Sequence, residues 1–376
     1  MTGSTVSTGG RVRQRVRLFL HVVPRSTAAA PRPWARPTRR KAGRAALWFL
    51  AFAVVMNVGF LLALDYGPPR LRDPEYGKRL ARVRARVAEY PGRPLVLAIG
   101  SSRTAMGVRP GVLASEPSGP LVLNFALVGS GPIMELMAFR RALADGVKPA
   151  AVLIEYWPAF LHEGGPYHEQ LRLDVSRLRP VDRAIVRDFF RDPAAAQKTM
   201  REQRLNPWYG HRRSLLNQLA PSLLLKGQRS ESMWDHIDDW GWLPGRTGAT
   251  AEQIEKGRAS TAAYYVPLFA TFEVSPVADR ALRQLVAECR VNGIPVALLY
   301  LPEGAVFRSF MTPASVRLSD EHLRRVVGEL KLPLIDARGW VPDADMLDGF
   351  HLTQDGAAKF TRKLHTAVTA TFPELK

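Results

Sequence analysis

The chain has 376 residues, 46% hydrophobic and 23% charged, which excludes an intrinsically disordered protein and suits one large domain or two ordinary ones. A single cysteine, Cys289, excludes an intrachain disulfide and a thiolate metal cluster. The formal net charge is +19, but the first 44 residues hold eleven Lys and Arg and no acid, leaving +8 over the other 332 and arguing against specific nucleic-acid binding.

In chain order, residues 1–43 read as a basic, disordered cytoplasmic tail rich in Arg, Pro, Ala, Ser and Thr. "AALWFLAFAVVMNVGFLLAL", residues 45–64, then holds one strongly polar residue, Asn57. As a helix this stretch is about 30 Å long, the thickness of a bilayer's hydrocarbon core. It predicts a transmembrane anchor over 44–65, with the lipid bilayer as partner, ended by Asp65 and Gly67-Pro68-Pro69. The cations ahead of it orient the N-terminus to the cytoplasm and export everything from residue 66 onward. The long basic region and poor cleavage pattern near Ala63 favour an uncleaved anchor over a signal peptide.

Residues 66–93 predict a connecting helix, with Leu80, Val83 and Val87 on one face. Beyond it, "PLVLAI" (94–99), "LVLNFA" (121–126), "AVLIEYW" (151–157), "PVALLYL" (295–301) and "LPLID" (332–336) are apolar runs of the kind buried on both faces of a parallel sheet. Amphipathic helices alternate with them. One carries Ile133, Leu136, Met137 and Leu143; another carries Leu282, Leu285, Val286 and Cys289 behind a Ser275-Pro276 start. A third carries Leu323, Val326, Val327 and Leu330 and is entered through Ser319; the last follows Thr353 and turns Phe360, Leu364 and Val368 inward. The alternation predicts an α/β protein, a three-layer α/β/α doubly wound parallel sheet over 94–376, with ligands bound beyond the carboxyl ends of the strands. Between 160 and 274 the alternation breaks, and four of the eight tryptophans fall there: Trp208, Trp234, Trp240 and Trp242. This stretch is expected to be a partly helical insertion, a cap over the strand ends whose aromatics either pack together or stack on sugar rings.

Ser101 and Ser102 follow the first strand, and Asp348 and His351 stand three residues apart just before the last helix. A carboxylate at that spacing can hold one imidazole nitrogen while the other faces a serine hydroxyl. Serine needs this help, because it attacks a carbonyl only as a base takes its proton. In a doubly wound sheet both segments reach the same edge.

On these residues the chain resembles the SGNH (GDSL-type) hydrolase superfamily over roughly 94–157 and 294–372. Gly100-Ser101-Ser102 stands where that family has Gly-Asp-Ser, so the resemblance makes Ser102 the nucleophile, His351 the base and Asp348 its acid partner. "NFALVGSG" (124–131) resembles the second family block, which implies an oxyanion hole from the backbone N–H of Ser102 with Gly129 or Gly131. The third block's asparagine has no counterpart in "IEYWPAFLHE". The Gly-Ser-Ser form is similar to membrane-anchored envelope members, such as teichoic-acid D-alanylation and alginate O-acetylation proteins. It implies a bacterial inner-membrane protein with an extracytoplasmic esterase or O-acyltransferase domain, an acyl-ester or envelope-glycan substrate and an envelope-assembly partner. A catalytically silent scaffold or glycan-binding protein of the same fold is the alternative, favoured by the missing asparagine. Arg103, Asn124 and Glu155 are candidate substrate contacts. No cofactor or metal is expected: His162, His168, His211 and His236 lack ligand spacing, and Asp235, His236, Asp238 and Asp239 lie on no metal-binding helix.

Overall fold

The computed structural model of the protein describes residues 39–116, 118–225, 233–245 and 250–375; most of the expected tail, residues 1–38, lies outside them. The chain divides into two compact units, Met1–Phe52 and Ala53–Lys376. Of the first, residues 39–52 are helical, the opening turns of helix α1 (Arg39–Tyr66). Among the described residues α1 is the one helix long and apolar enough to cross a membrane. Leu47, Trp48, Phe49, Leu50 and Phe52 are all more than half exposed, the opposite of a soluble core helix. Asn57 is satisfied locally, its amide donating to the carbonyl of Ala53 at 2.9 Å. The helix stops at Tyr66, before Gly67-Pro68-Pro69.

In the second unit α2 (Pro74–Glu89) starts on Asp73, whose carboxylate accepts from the N–H of Tyr76. There follow β1 (Leu95–Ile99), α3 (Ser102–Gly107), β2 (Leu121–Asn124), α4 (Pro132–Ala144) and β3 (Ala151–Glu155). The next region contributes α5 (Pro158–Leu161), α6 (Gly165–Arg172), α7 (Arg183–Phe189), α8 (Pro193–Leu205), α9 (Pro207–Gly210), α10 (Arg212–Leu219) and α11 (Ala251–Ala270). The fold closes with α12 (Pro276–Val291), β4 (Val296–Tyr300), α13 (Ala305–Arg308), α14 (Pro313–Leu330), β5 (Leu334–Asp336) and α15 (Gln354–Thr371).

All five strands are parallel, in the order β2-β1-β3-β4-β5. Strand residues alternate between two cores. Leu95, Leu97, Ile99, Val152 and Ile154 join α2, α4, α12 and α14; Val96, Ala98, Leu153 and Leu299 join Phe360, Leu364 and Val368 of α15. Both faces being covered explains why the strands are apolar up to their carboxyl ends, where Asn124, Glu155 and Asp336 stand. The order reverses between β1 and β3, and in such sheets the crevice outside the carboxyl ends of those two strands is the ligand site.

Two local expectations change. The α14 helix starts at Pro313, where Thr312 accepts from the N–H of Ser315, so Ser319 is buried mid-helix rather than a cap. Ser275 occupies the N-cap position of α12, yet its hydroxyl makes no capping bond. The described residues of 160–274 contribute to more than one core: Leu178, Ile185, Val186 and Phe189 extend the core behind α4, while Phe269 and Phe272 join Trp157, Phe307 and Phe350. The acidic group at 235–239 is tied to α2, Asp235 to Lys78 at 3.6 Å and Asp239 to Arg82 at 2.7 Å.

Candidate active site

The turn from β1 into α3 is built around one buried carboxylate. Glu155, the last residue of β3, accepts from the N–H of Ser101 at 2.6 Å, the hydroxyl of Ser101 at 3.1 Å and that of Thr104 at 2.7 Å. Ser101 in turn caps α3 by accepting from the N–H of Arg103 at 3.1 Å. Gly100 leaves room for this cluster: a Cβ there would lie 2.2 Å from Thr104 Oγ1 and 2.4 Å from Glu155 Oε2. Ser101 is thereby buried and spent on structure, and Ser102, half-buried, is the hydroxyl left facing outward.

His351 approaches from the loop before α15. Its Nε2 is 2.8 Å from Ser102 Oγ, and its Nδ1 is 2.8 Å from Asp348 Oδ2. The other Asp348 oxygen accepts from the N–H of His351 at 2.9 Å and of Phe350 at 3.3 Å. Burial alone would raise the Asp348 carboxyl, but the neighbouring His351 and these hydrogen bonds hold it below its ordinary value. An ionised carboxylate only accepts, so Nδ1 carries the imidazole proton and Nε2 accepts from the serine hydroxyl. The loop is closed by an antiparallel bridge between Met346 and Leu352 and by Gly349, whose φ of +95° is left-handed. Thr353 caps α15 by accepting from the N–H of Gly356 at 3.0 Å.

A second turn, between β2 and α4, brings amides to the same edge. The N–H of Val128 goes to Glu75 at 2.8 Å, that of Ser130 to the carbonyl of Leu127 at 3.0 Å, and that of Gly131 to Glu169 at 3.0 Å. Gly131, an expected oxyanion donor, is therefore unavailable: Glu169 of α6 also takes the N–H of Met134, and sequence alone does not show that partner. Burial pushes the Glu169 carboxyl up to about 8 in spite of its N–H donors. Among the described residues the N–H groups of Ser102 and Gly129 meet no acceptor. Gly129, at φ +78°, and Ser102 line one cavity of about 390 Å³ with Trp157, Phe160, Arg172 and Tyr265.

The three candidate substrate contacts are all structural. Arg103 is 1% exposed; it donates to the carbonyls of Leu301 and Pro302, lies 3.5 Å from Glu303 and sits over the Trp157 ring. Asn124 donates to the carbonyls of Thr104, Ala105 and Val108, tying β2 to α3. Glu155 holds the serine turn and contacts neither His351 nor the cavity at Ser102. The insertion tryptophans stand elsewhere: Trp208 stacks on Phe60, Trp240 lies tilted against Tyr90, and Trp242 donates to the carbonyl of Met106. The aromatic wall at Ser102 is instead Trp157, Phe160, Tyr264 and Tyr265, which a search for tryptophan-rich text overlooks.

No family model and no curated protein matches the chain. Among solved structures it is similar to a candidate acylhydrolase from Bacteroides fragilis, at 14% identity and TM-score 0.37, over 80% of this chain and 98% of that one. It is also similar to the lipase/acylhydrolase from Enterococcus faecalis, at 12% identity and TM-score 0.34, over 73% and 96%. A candidate arylesterase from Agrobacterium tumefaciens gives 15% identity and TM-score 0.31, over 74% and 99%. Values this low leave the chemistry to the site's own atoms.

Proposed function

We propose that the protein is a serine esterase or O-acyltransferase of the SGNH type, held in a membrane by α1 with its catalytic unit outside the cytoplasm. The observation that carries this reading is the unbroken chain Asp348–His351–Ser102, with both links at 2.8 Å. Ser102 Oγ attacks an ester carbonyl as its proton passes to His351 Nε2. The oxyanion forms against the N–H groups of Ser102 and Gly129, and Asp348 stabilises the imidazolium. His351 then gives the proton to the leaving alkoxide, which departs as the alcohol and leaves acyl-Ser102. Water or a sugar hydroxyl, deprotonated by the same imidazole, releases the acyl group as acid or as a new ester. The aromatic wall and Arg172 around Ser102 suit an acylated glycan, and an envelope location supplies one.

The test is turnover of an activated acetyl ester by the detergent-solubilised full chain. Ser102→Ala is expected to lower kcat to near background, a loss on the order of 10⁶-fold where the triad acts as a unit. Undiminished activity in that variant overturns the assignment. The hole has two backbone donors and lacks the family's asparagine, which favours the silent scaffold as second reading. Failure of a fluorophosphonate probe to label Ser102 selects the scaffold.

A further inference from the structure

A second cavity, of about 400 Å³, opens beside the last turns of α1 within the second unit. Its lining is of two kinds. Leu61, Val175, Leu178 and Met200 are apolar, while Arg183, Arg187 and Arg201 stand exposed around them. Arg72 and Arg204 also reach it, but both are engaged by Asp65, at 2.7 and 2.8 Å. Arg187 is paired with Asp188. Arg183 and Arg201 meet no acceptor among the described residues. So much unneutralised guanidinium around an apolar floor is the complement of a group that is anionic at one end and aliphatic at the other.

An independent observation points to the same ligand. His211 lines the cavity, is 2% exposed, and its Nδ1 has no hydrogen-bond partner. Leaving a buried polar atom unpaired is costly, and such atoms mark places where a further group belongs. Burial and the nearby Arg72 push this imidazole down to about 4, so it is neutral at physiological pH and offers an N–H rather than a charge. The surroundings suit a membrane surface. Phe60 of α1 stacks on Trp208 with ring centroids 4.3 Å apart, and Leu205, Trp208 and Tyr209 are 84%, 41% and 63% exposed. Exposed aromatic and aliphatic side chains beside the end of a spanning helix match the interfacial belt of membrane proteins.

We propose that this cavity binds the headgroup of an anionic phospholipid from the leaflet in which α1 ends, with the phosphate on Arg183, Arg201 and His211 and the start of the acyl chains over Leu61 and Met200. The proposal rests on α1 being an uncleaved membrane anchor. It assigns the region between β3 and α12 a task separate from the chemistry at Ser102: seating the catalytic unit on the bilayer in one orientation.

The experiment uses the full chain in neutral detergent, titrated with phosphatidylglycerol or phosphatidylcholine of the same acyl chains and read by native mass spectrometry. One phosphatidylglycerol is expected to be retained per chain at a concentration at least tenfold lower than phosphatidylcholine. The double variant Arg183→Gln/Arg201→Gln is expected to lose that preference while keeping its Tm and its ester turnover. His211→Phe, which fills the space without an N–H, is expected to weaken retention severalfold. Equal retention of the two lipids, or a preference unchanged in the double variant, overturns the site. Tight binding of inorganic phosphate that is lost in the double variant, with lipid retention unchanged by that variant, assigns the cavity to a soluble ligand and also overturns it. Membrane retention of the chain after alkaline extraction is measured in parallel. A chain found soluble overturns the anchor, and the lipid site with it, whereas a retained chain without headgroup preference overturns the site alone.

Discussion

Ser101 and Ser102 are adjacent yet chemically opposite. The first gives its hydroxyl to Glu155 and its lone pair to the N–H of Arg103; the hydroxyl of the second, among the described residues, meets His351 alone. Asp348 does two things for that histidine, fixing the ring through Nδ1 and the backbone through the His351 N–H. Asp348→Asn keeps the shape and reverses the polarity of one bond, favouring the wrong tautomer. It is expected to lower kcat by about 10⁴-fold with little change in KM, measured as ester hydrolysis. The same substitution has a stability signature. Because the folded carboxyl lies below its ordinary value, its contribution is present above pH about 4 and disappears as pH falls through the folded value. The Tm advantage of the wild type over Asp348→Asn is therefore expected to vanish on acidification, in thermal melts across pH 3–7.

The elements act through their ends. The β1–α3 turn, the β2–α4 turn and the loop before α15 each deliver one part of the site, and each is pinned by a contact from a different element. Glu155 at the end of β3 holds the first, Glu75 of α2 and Glu169 of α6 hold the second, and the Gly304 N–H donates to the carbonyl of Gly349 at 2.7 Å in the third. Gly100→Ala places a methyl group where Thr104 Oγ1 and Glu155 Oε2 lie, at 2.2 and 2.4 Å, so the turn must open. A loss of about 1–3 kcal/mol in unfolding free energy is expected from denaturant titration, with kcat falling far more than KM rises. Unchanged kcat would mean that the Glu155 cluster does not position Ser102.

At the scale of the whole molecule, the cost of this construction is a buried acidic interior. Glu135, Glu155 and Glu169 are all at most 4% exposed, and one Glu135 oxygen has no partner. Burial, then the proximity of Glu155 and Glu169, holds the Glu135 carboxyl well above its ordinary value. A group raised in the folded state stabilises fully below its unfolded value, about 4.3, and that contribution is lost as pH rises through the folded value. Glu135→Gln removes the dependence, so its Tm relative to the wild type is expected to rise steadily from pH 5 to 8; a constant difference refutes the assignment. Much of the molecule was legible in the chain itself. The five strands, doubly covered, had to be apolar up to their carboxyl ends; α15 had to begin after a capping threonine; and Ser102, Asp348 and His351 stood at the ends of elements that a doubly wound sheet brings to one edge. Local spacing and periodicity determine such features, because they depend on neighbours a few residues away. Only the tertiary structure decided that Arg103, Asn124 and Glu155 are framework and that Glu169 takes the N–H of Gly131. It also decided that the wall beside Ser102 comes from Trp157, Phe160, Tyr264 and Tyr265. Those outcomes depend on which buried donor meets which acceptor across separations of up to about two hundred residues, as with Arg103 and the carbonyl of Pro302. A charged or amide side chain carries no mark in sequence of whether its partner is a substrate or another part of its own chain.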